Sequence, residues 1–260
     1  MAIAYVSGSS LAYGGGRTSS VVPAPAGIAN GHVLLAWLFG GIGSSSAPNP
    51  TTPPAGWTKF GTDLTLVQTT VFAGRLELWW KRAASESGSY TWTHQAQSST
   101  CFIDCFSGCK ASGVPLGATS VNSGTATGSG QATATGTGIT TTAANSWLLF
   151  HGIDWGDQAN NLSPPAGMTE RADMVLLYGA AELRATAGAT GNRSHLCNSV
   201  VNGSPWGVRM TELLEDAPAG GDLKIWTGSA WVTKPVKVWS GSAWAAKPVK
   251  FWNGSAWVLA

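Results

Sequence analysis

Carboxylates are the side chains of this 260-residue sequence that could most simply do chemistry. Two carboxylic groups about 5–9.5 Å apart can hydrolyse a glycosidic bond, one as the acid and the other as the nucleophile or base. The thirteen acidic residues are spread over the first 222 positions, so chance pairs are expected and none is predicted to be catalytic. Glu86 lies in a predicted turn, and Glu77 alternates outward between two leucines of a predicted strand. The candidates for such a pair are Glu77, Glu86, Asp104 and Glu182.

Histidines and nucleophile motifs give no stronger indication of an enzyme. The sequence has no Gly-x-Ser-x-Gly, His-Glu-x-x-His or phosphate-binding Gly-x-x-x-x-Gly-Lys-Ser/Thr motif. His151 and Asp154 are three residues apart, so a strand would direct them to opposite faces. The remaining histidines, His32, His94 and His195, are scattered. We therefore expect a non-enzymatic protein, with a polysaccharide-degrading enzyme as the alternative.

Three cysteines recur at every fourth residue in the segment CFIDCFSGC. On a strand, Cys101, Cys105 and Cys109 would share one face, with neighbours about 13 Å apart at about 3.3 Å per residue. That separation is too long for a disulfide between them or for one metal ion. Buried thiols that pack as small apolar groups are the favoured interpretation, and a disulfide from Cys197 or a metal site is the alternative. No metal or organic cofactor is expected.

The composition favours a folded β-protein. Charged residues make up 11% of the chain and hydrophobic residues 43%, with many small and β-branched residues. No secretory signal is visible in MAIAYVSGSS, and the longest apolar stretch, VLLAWLFGGIG, is too short to cross a bilayer. We therefore expect neither secretion nor insertion into a membrane.

Two halves of the sequence repeat one order of features. The segments NGHVLLAWLFGGIG, PPAGWTKF and GRLELWWKRA are matched later by NSWLLFHGIDWG, PPAGMTER and VLLYGAAELRA. Leu34 and Leu148 are 114 residues apart, and Pro53 and Pro164 are 111 apart. In the Pro-Pro-Ala-Gly turn, proline at the second position presets φ, and the glycine two residues on can take a positive φ.

These features predict an all-β fold, an antiparallel β-sandwich of jelly-roll type. The prediction rests on short strands in which polar and apolar residues alternate, on turns rich in glycine and proline, and on the lack of a helical period. Two similar halves, about 1–110 and 118–216, are expected to form a sandwich over residues 1–217. The latter part of QATATGTGITTT (131–142) is expected to be an edge strand. Residues 110–130 are expected to be the connection between the halves.

Residues 223–260 repeat a thirteen-residue unit as KIWTGSAWVTKPV, KVWSGSAWAAKPV and KFWNGSAWVLA. A turn through Gly-Ser-Ala would reverse the chain and pair the two tryptophans of each copy across a small hairpin. All thirteen acidic residues lie at or before Asp222 and five lysines follow it, which leaves a charge of −3 before these repeats and +5 within them. The residues predicted to bind a partner or to drive oligomerisation are Trp226, Trp231, Trp239, Trp244, Trp252 and Trp257.

Three uses of these tryptophans remain open. Packing against another chain or against the rest of the protein is favoured, because so short a unit rarely folds without a metal, a disulfide or a partner. A row of indoles that stacks on sugar rings is the second, and a disordered tag is the third. Nucleic acid is not expected, because these repeats contain no arginine and their Lys-Pro pairs suit the protection of strand edges.

The segments PAPAGIANGHVLLAWLF, PPAGWTKF, LELWWKRAASESGSYTWTH and FIDCFSG together resemble the β-sandwich modules of bacteriophage tail-fibre and minor tail proteins. The second half repeats part of the pattern as GMTER, GATGNRSH and a following tryptophan. The resemblance covers roughly residues 20–215 and departs at His32, where the family usually has aspartate. The terminal W-x-G-S-A-W and Lys-Pro repeats resemble the ends of minor tail proteins of actinobacterial phages.

The resemblance implies a structural protein of the virion, made in the host cytoplasm. The expected role is a minor tail or tail-fibre component in host attachment or its assembly, with a head fibre or capsid decoration protein as the alternative. Its expected partners are other virion proteins and further copies of itself, a trimer by preference. A host cell-surface glycan is a further candidate partner.

Overall fold

The structure is a computed structural model that describes residues 2–68, 72–127, 130–155, 163–200, 203–216, 223–234, 236–247, 250–252 and 257–259. Within these residues every regular element is a β-strand, and the strand pairs are antiparallel. The predicted all-β antiparallel class is confirmed. In this described part of the chain, no helix has the length and apolarity needed to cross a membrane.

The chain divides into two compact units, residues 2–215 and residues 216–260. We call the first the body and the second the repeat unit. Each is described separately below.

One sheet of the body comes entirely from its first half. Its strands lie in the order β1-β6-β2-β5-β3, and β4 also pairs with β5. The strands are β1 (Ala4–Pro23), β2 (Val33–Ile42), β3 (Thr58–Lys59), β4 (Leu64–Gln68), β5 (Phe72–Arg82) and β6 (Ser89–Ser107).

The second half forms a five-stranded sheet in the order β11-β12-β10-β15-β7, with two further strand pairs, β8–β14 and β9–β13. The first strands of this half are β7 (Leu116–Thr125), β8 (Gly130–Gly136), β9 (Thr140–Thr141), β10 (Ser146–Asp154) and β11 (Thr169–Met174). The remaining strands are β12 (Leu177–Arg184), β13 (Gly188–Ala189), β14 (Arg193–Val200) and β15 (Pro205–Leu213).

The two sheets have corresponding strand orders. Read from one edge, the first sheet has the order β1, β6, β2, β5, β3. The second sheet has the corresponding order β7, β15, β10, β12, β11. In each half the Pro-Pro-Ala-Gly segment leads into the short strand at the far edge. Counted from the pairing of these edge strands, Leu35 of β2 corresponds to Leu149 of β10. Trp37 and His151 each lie two residues further on and therefore occupy corresponding positions.

The Pro-Pro-Ala-Gly turns have the same geometry in both halves. The N–H of Trp57 donates to the carbonyl of Pro54 at 3.5 Å, and that of Met168 donates to Pro165 at 2.9 Å. The glycine of each turn has a positive φ, 84° in one and 82° in the other. These are type II turns with glycine in the third position. Each begins one residue later than the sequence pattern predicts.

The main core lies between the six-stranded and the five-stranded sheet. Apolar side chains from both sheets form one contiguous buried cluster there, as expected of a sandwich. Its largest contributors are Trp37, Phe39, Leu78, Phe102 and Phe106 from the first sheet and Leu149, Ile153, Leu177 and Leu213 from the second.

Each sheet is also buried on its outer face. In the first half, β1 and β6 continue past irregular pairings between Leu11 and Ser19, and residues 89–97 of β6 pair with residues 17–23 of β1. Bulges of this kind bend strands. A second buried cluster joins Leu34, Ala36 and Leu38 of β2 to Trp92 of β6. In the second half the β8–β14 pair contributes Ala134 and Cys197 to a cluster with Leu148 and Phe150 of β10. Burial on both faces explains why β2 and β10 are almost continuously apolar.

Two finer expectations are corrected. Residues 110–130 are not merely a connection, because they contain β7, which pairs with β15 along the sheet edge. The sequence signal was missed because this edge strand is built from Ser, Thr, Gly and Asn and has half-buried and exposed side chains. The jelly-roll detail is not supported, since each sheet draws its strands from one half of the chain.

The described residues of the repeat unit form three two-stranded antiparallel strand pairs. They are the predicted hairpin repeat, one for each copy of the thirteen-residue sequence. Their strands are β16 (Leu223–Trp226) with β17 (Trp231–Lys234), β18 (Lys237–Trp239) with β19 (Trp244–Ala246), and β20 (Lys250–Trp252) with β21 (Trp257–Leu259).

Candidate functional site

The repeat unit contains the predicted site residues, and its turns decide how they are placed. In the first copy the Thr227 hydroxyl donates to the carbonyl of Ala230 at 3.0 Å and accepts from its N–H at 3.3 Å. In the second copy Ser240 makes the same two hydrogen bonds with Ala243, at 2.9 and 3.1 Å. A hydroxyl that satisfies both backbone groups fixes the four-residue loop. Asn253 stands at this position in the third copy, outside the described residues.

The glycine of the turn has a conformational role. Gly228 has a φ of 96° and Gly241 a φ of 98°. A Cβ at either position would contact nothing, so the requirement is set by the backbone and not by space. The Gly-Ser-Ala sequence therefore specifies a tight reversal in the first two copies.

In the two copies whose turns are described, this reversal makes the two tryptophans direct partners across the hairpin. The expectation from the sequence is met in the backbone register of all three copies. The pairs are Trp226 with Trp231, Trp239 with Trp244, and Trp252 with Trp257. The side chains of Trp231, Trp252 and Trp257 lie outside the described part of the structure.

The indoles whose side chains are described are strongly exposed in the single chain. Trp226 is 54% exposed, Trp239 is 52% and Trp244 is 65%. The rings of Trp239 and Trp244 meet edge to face, with centroids 5.6 Å apart and planes at 60°. Val238, the preceding residue of β18, is 49% exposed. Exposed aromatic surface of this density is typical of interaction sites. Burial of the six indoles against a partner remains a prediction.

Lysines surround these indoles. Lys237 and Lys247 are exposed next to the second hairpin. The last 38 residues carry five lysines and no acidic residue. A surface with this charge favours a partner that is neutral or acidic.

The body contains a second polar arrangement, which the sequence did not indicate. Nε2 of His151 lies 3.4 Å from a carboxyl oxygen of Asp104, between the two sheets. The imidazole stacks on the indole of Trp37, with centroids 3.4 Å apart and planes at 15°. Asp104 and His151 are each 1% exposed. From the sequence, only Asp154 was considered as a partner of His151, because the two are close in the chain, and Asp104 was therefore missed.

Burial determines the ionisation of this pair. Desolvation raises the pKa of Asp104 to about 8, with a smaller opposing effect from the Arg171 charge. Desolvation also holds the pKa of His151 well below its usual value, and the Arg209 charge acts in the same direction. Both groups are therefore neutral near pH 7. An acid and a base enclosed in the core have no access to a substrate, so we assign the pair a structural role.

The other candidate carboxylates are held in ion pairs. Glu77 does alternate with its flanking leucines, but it is 1% exposed, not outward in solvent as the sequence suggested. Residues around Thr51 cover that face, and both the N–H and the hydroxyl of Thr51 donate to Glu77. Lys59 joins Glu77 to Asp63, with Nζ 2.8 Å from each carboxylate. Arg75 also pairs with Asp63.

Glu86 and Glu182 are engaged elsewhere. Glu86 accepts from Lys81 at 2.9 Å and from Tyr90 at 2.7 Å. Burial tends to raise the pKa of Glu86, but these hydrogen bonds outweigh it and lower the pKa. Glu182 pairs with Arg193 at 2.7 Å. The four carboxylates proposed from sequence thus serve separate structural contacts.

The cysteines are buried thiols, as favoured from the sequence. The expectation of one shared face is wrong for Cys109, which belongs to the main core, whereas Cys101 and Cys105 belong to the outer cluster. The reason is that β6 ends at Ser107, so alternation stops before the third cysteine. Among the described residues, no three His, Cys, Asp or Glu side chains are grouped so that they could hold a metal ion.

Comparison of this chain with protein-family models, with curated proteins and with solved structures finds no match.

Proposed function

We propose that this chain is a non-enzymatic structural protein of a bacteriophage particle, a minor tail or tail-fibre component in host attachment or its assembly. The observation that carries the proposal is the exposed Trp239–Trp244 pair at the end of a hairpin whose sequence occurs three times. The resemblance of this repeat to the ends of phage minor tail proteins supplies the biological setting.

The hairpins need a partner on energetic grounds. An isolated two-stranded hairpin is marginally stable in water. A cross-strand aromatic pair contributes only about 0.2–1 kcal/mol. Covering apolar surface stabilises by about 25 cal/mol per Å², so a partner that covers the exposed indoles supplies what the hairpins lack. The repeat unit therefore acts as an anchoring or oligomerising module.

The partner that fits best is another virion protein together with further copies of this chain. The repeat unit is basic, and the residues before it carry a net charge of −3. Copies brought together would thus have opposite charges available for orientation. A trimer gives three equivalent sets of hairpins a shared apolar core.

A non-enzymatic role agrees with the body. Glu77, Glu86 and Glu182 are committed to ion pairs, and Asp104 is enclosed. These contacts give the four carboxylates structural roles, which supports the proposal.

Antibody labelling of purified particles of the phage that encodes the chain tests the proposal. We expect label at the tail, and particles from a deletion of the gene provide the control. Label on the capsid would favour a head fibre or decoration protein. Absence of the chain from particles by mass spectrometry would refute the proposal.

Incubation of the purified protein with host envelope glycan tests the enzymatic alternative. We expect no new reducing ends. A Glu77→Gln variant is the matched control, because reducing ends that persist in it would exclude that carboxylate as their source.

A further inference from the structure

A two-stranded ribbon, β8 with β14, lies over the outer face of the second sheet. Its strands pair with each other and form a sheet of their own, separate from the five-stranded one. The ribbon contributes Ala134 and Cys197 to the outer apolar cluster, which also contains Leu148 and Phe150 of β10. We call this ribbon the strap. Side-chain packing, and not a continuous β-ladder, therefore holds it against the sheet.

Polar contacts tie the strap to its neighbours near one end. The side-chain amide of Asn122 in β7 donates to the carbonyl of Thr135 at 2.8 Å. Arg193, the first residue of β14, pairs with Glu182 of β12 at 2.7 Å. Arg193 and Thr135 lie next to each other at this end of the strap, since Arg193 pairs with Gly136 in the ladder.

His195 lies under the strap and is 3% exposed. Its ring stacks on Tyr178, with centroids 5.0 Å apart and planes at 25°, and it meets the edge of Phe150 at 5.5 Å. It also covers Gly152, where a Cβ would be 2.7 Å from Cε1. Nε2 lies 3.3 Å from Sγ of Cys197, and Nδ1 is buried without a hydrogen-bond partner among the described residues. Uncharged groups thus enclose the imidazole.

The surroundings of His195 favour its neutral form. Burial lowers its pKa to about 4. His151 and Arg209 lie on the other side of the second sheet, where they contact Trp37 and Thr62 of the first half. The titratable and charged groups of the strands around the strap are Cys197 and Arg193 of β14, Tyr178 and Glu182 of β12, and Glu170 and Asp173 of β11.

We propose that the strap is an acid-sensitive element of the body, which is released from the sheet when His195 takes up a proton. Protonation under the closed strap places a charge among Tyr178, Phe150 and Gly152, where burial disfavours it. Opening of the strap hydrates the imidazolium and uncovers the outer apolar cluster. The proposal concerns the body alone and does not depend on the chain being part of a phage particle.

The pH range follows from the two states of the strap. The pKa of His195 is about 4 when the strap is closed and about 6.5 when the ring is in water. Below about pH 6.5 the open form binds the proton more readily, so the open population rises as pH falls. The rise is about tenfold per pH unit and ends near pH 4, where both forms are protonated.

Hydrogen exchange of the full chain, read by mass spectrometry and corrected for the intrinsic pH dependence of exchange, tests the strap. Amides of residues 131–136 and 193–197 should open about fiftyfold more often at pH 4.5 than at pH 7. Amides of the β10–β12 ladder are the internal reference and should keep their protection. Unchanged exchange in the strap would refute the proposal, as would equal loss of protection in the ladder.

Two variants test whether His195 is the trigger. His195→Gln removes the titrating ring, so exchange of the strap should no longer depend on pH over this range. His94→Gln, at a half-buried histidine of β6, is the matched control and should keep the wild-type response. A wild-type response in His195→Gln would overturn the proposal.

Thiol labelling of the wild type gives a measure that needs no variant. The reagent is 4,4′-dithiodipyridine, which reacts with thiols in acid. Cys197 and Cys101 are both fully buried, the first under the strap and the second in the other half. The rate for Cys197 relative to Cys101 should rise between pH 7 and pH 4.5. An unchanged ratio would contradict release of the strap.

Discussion

The indole of Trp37 and the imidazole of His151 lie face to face at the centre of the body, with ring centroids 3.4 Å apart. The two residues occupy corresponding positions in β2 and β10, since each lies two residues beyond the leucine set by the edge-strand register. Two equivalent positions that touch each other are expected where a twofold axis relates two halves. We therefore expect residues of the two halves to superpose about an axis through this stack.

An experimental structure checks that prediction directly. Superposition of β2, β3, β5 and β6 on β10, β11, β12 and β15 should bring the two Pro-Pro-Ala-Gly turns into coincidence. A structure that puts the turns in unrelated places would contradict it, as would circular dichroism with a substantial helical signal.

Trp37→Ala should destabilise the body strongly. The side chain is fully buried between the sheets, and removal of so large a group leaves a cavity. We expect a loss of about 3–5 kcal/mol in the free energy of unfolding, measured by urea denaturation. Trp244→Ala, at an exposed indole, is the control and should leave the body's transition unchanged. A loss below about 1 kcal/mol for Trp37→Ala would mean that the stack is not central to the core.

Asp104→Asn should change how stability depends on pH. The pKa of Asp104 is about 8 in the folded chain and about 3.9 when unfolded. Between these values the unfolded chain binds fewer protons, so this carboxyl lowers stability as pH rises from about 4 to about 8. Asparagine removes that loss. We expect the variant to gain about 4 kcal/mol on the wild type between pH 5 and pH 8.5, because each pH unit below the folded pKa contributes about 1.4 kcal/mol.

The groups around Asp104 complete that test. His151, Arg171, Tyr5 and Cys105 interact with it from four elements. His151 has the opposite effect, because its depressed pKa makes stability fall as pH drops below about 6.5. Above pH 6.5, the difference in stability between the variant and the wild type therefore reports the ionisation of Asp104 without a contribution from His151. An equal difference between variant and wild type at pH 7 and pH 8.5 would show that Asp104 ionises freely in the folded protein.

Glu77→Gln should destabilise through the buried ion network. Lys59 and Thr51 would keep their donors but lose the charge that holds them. Breaking such a pair costs about 3–5 kcal/mol when the remaining charge is buried. We expect about 2–3 kcal/mol by urea denaturation, because Lys59 is partly exposed and retains Asp63. The exposed Glu170→Gln is the matched control and should stay within about 0.5 kcal/mol.

Deletion of residues 223–260 should leave the body folded and remove assembly. The body has its own cores and forms a compact unit without these residues. Light scattering should give a monomer for the truncated chain and a larger species for the full chain. Unchanged mass, together with normal incorporation into particles, would show that the repeat unit is not an assembly module.

Some of these features could be predicted from the sequence and others could not. The hairpins follow from local chemistry, since Gly228 and Thr227 specify the turn that pairs Trp226 with Trp231. The burial of Glu77 could not be predicted by alternation, because alternation assumes that one face of a strand meets water. Here residues distant in sequence cover that face, including Thr51.

The contact of Asp104 with His151 also depends on packing between the halves, which no single segment encodes. Its one sequence signal is the alignment of VLLAW with WLLFH, which places Trp37 and His151 at the same position.

Each copy of the repeat pairs its own two tryptophans, and the first two copies close on their own turns. Insertion or loss of one copy therefore leaves the remaining hairpins intact and the reading frame unbroken. Such a tail can lengthen or shorten by one whole hairpin at a time. The number of tryptophans in this unit can therefore change in steps of two.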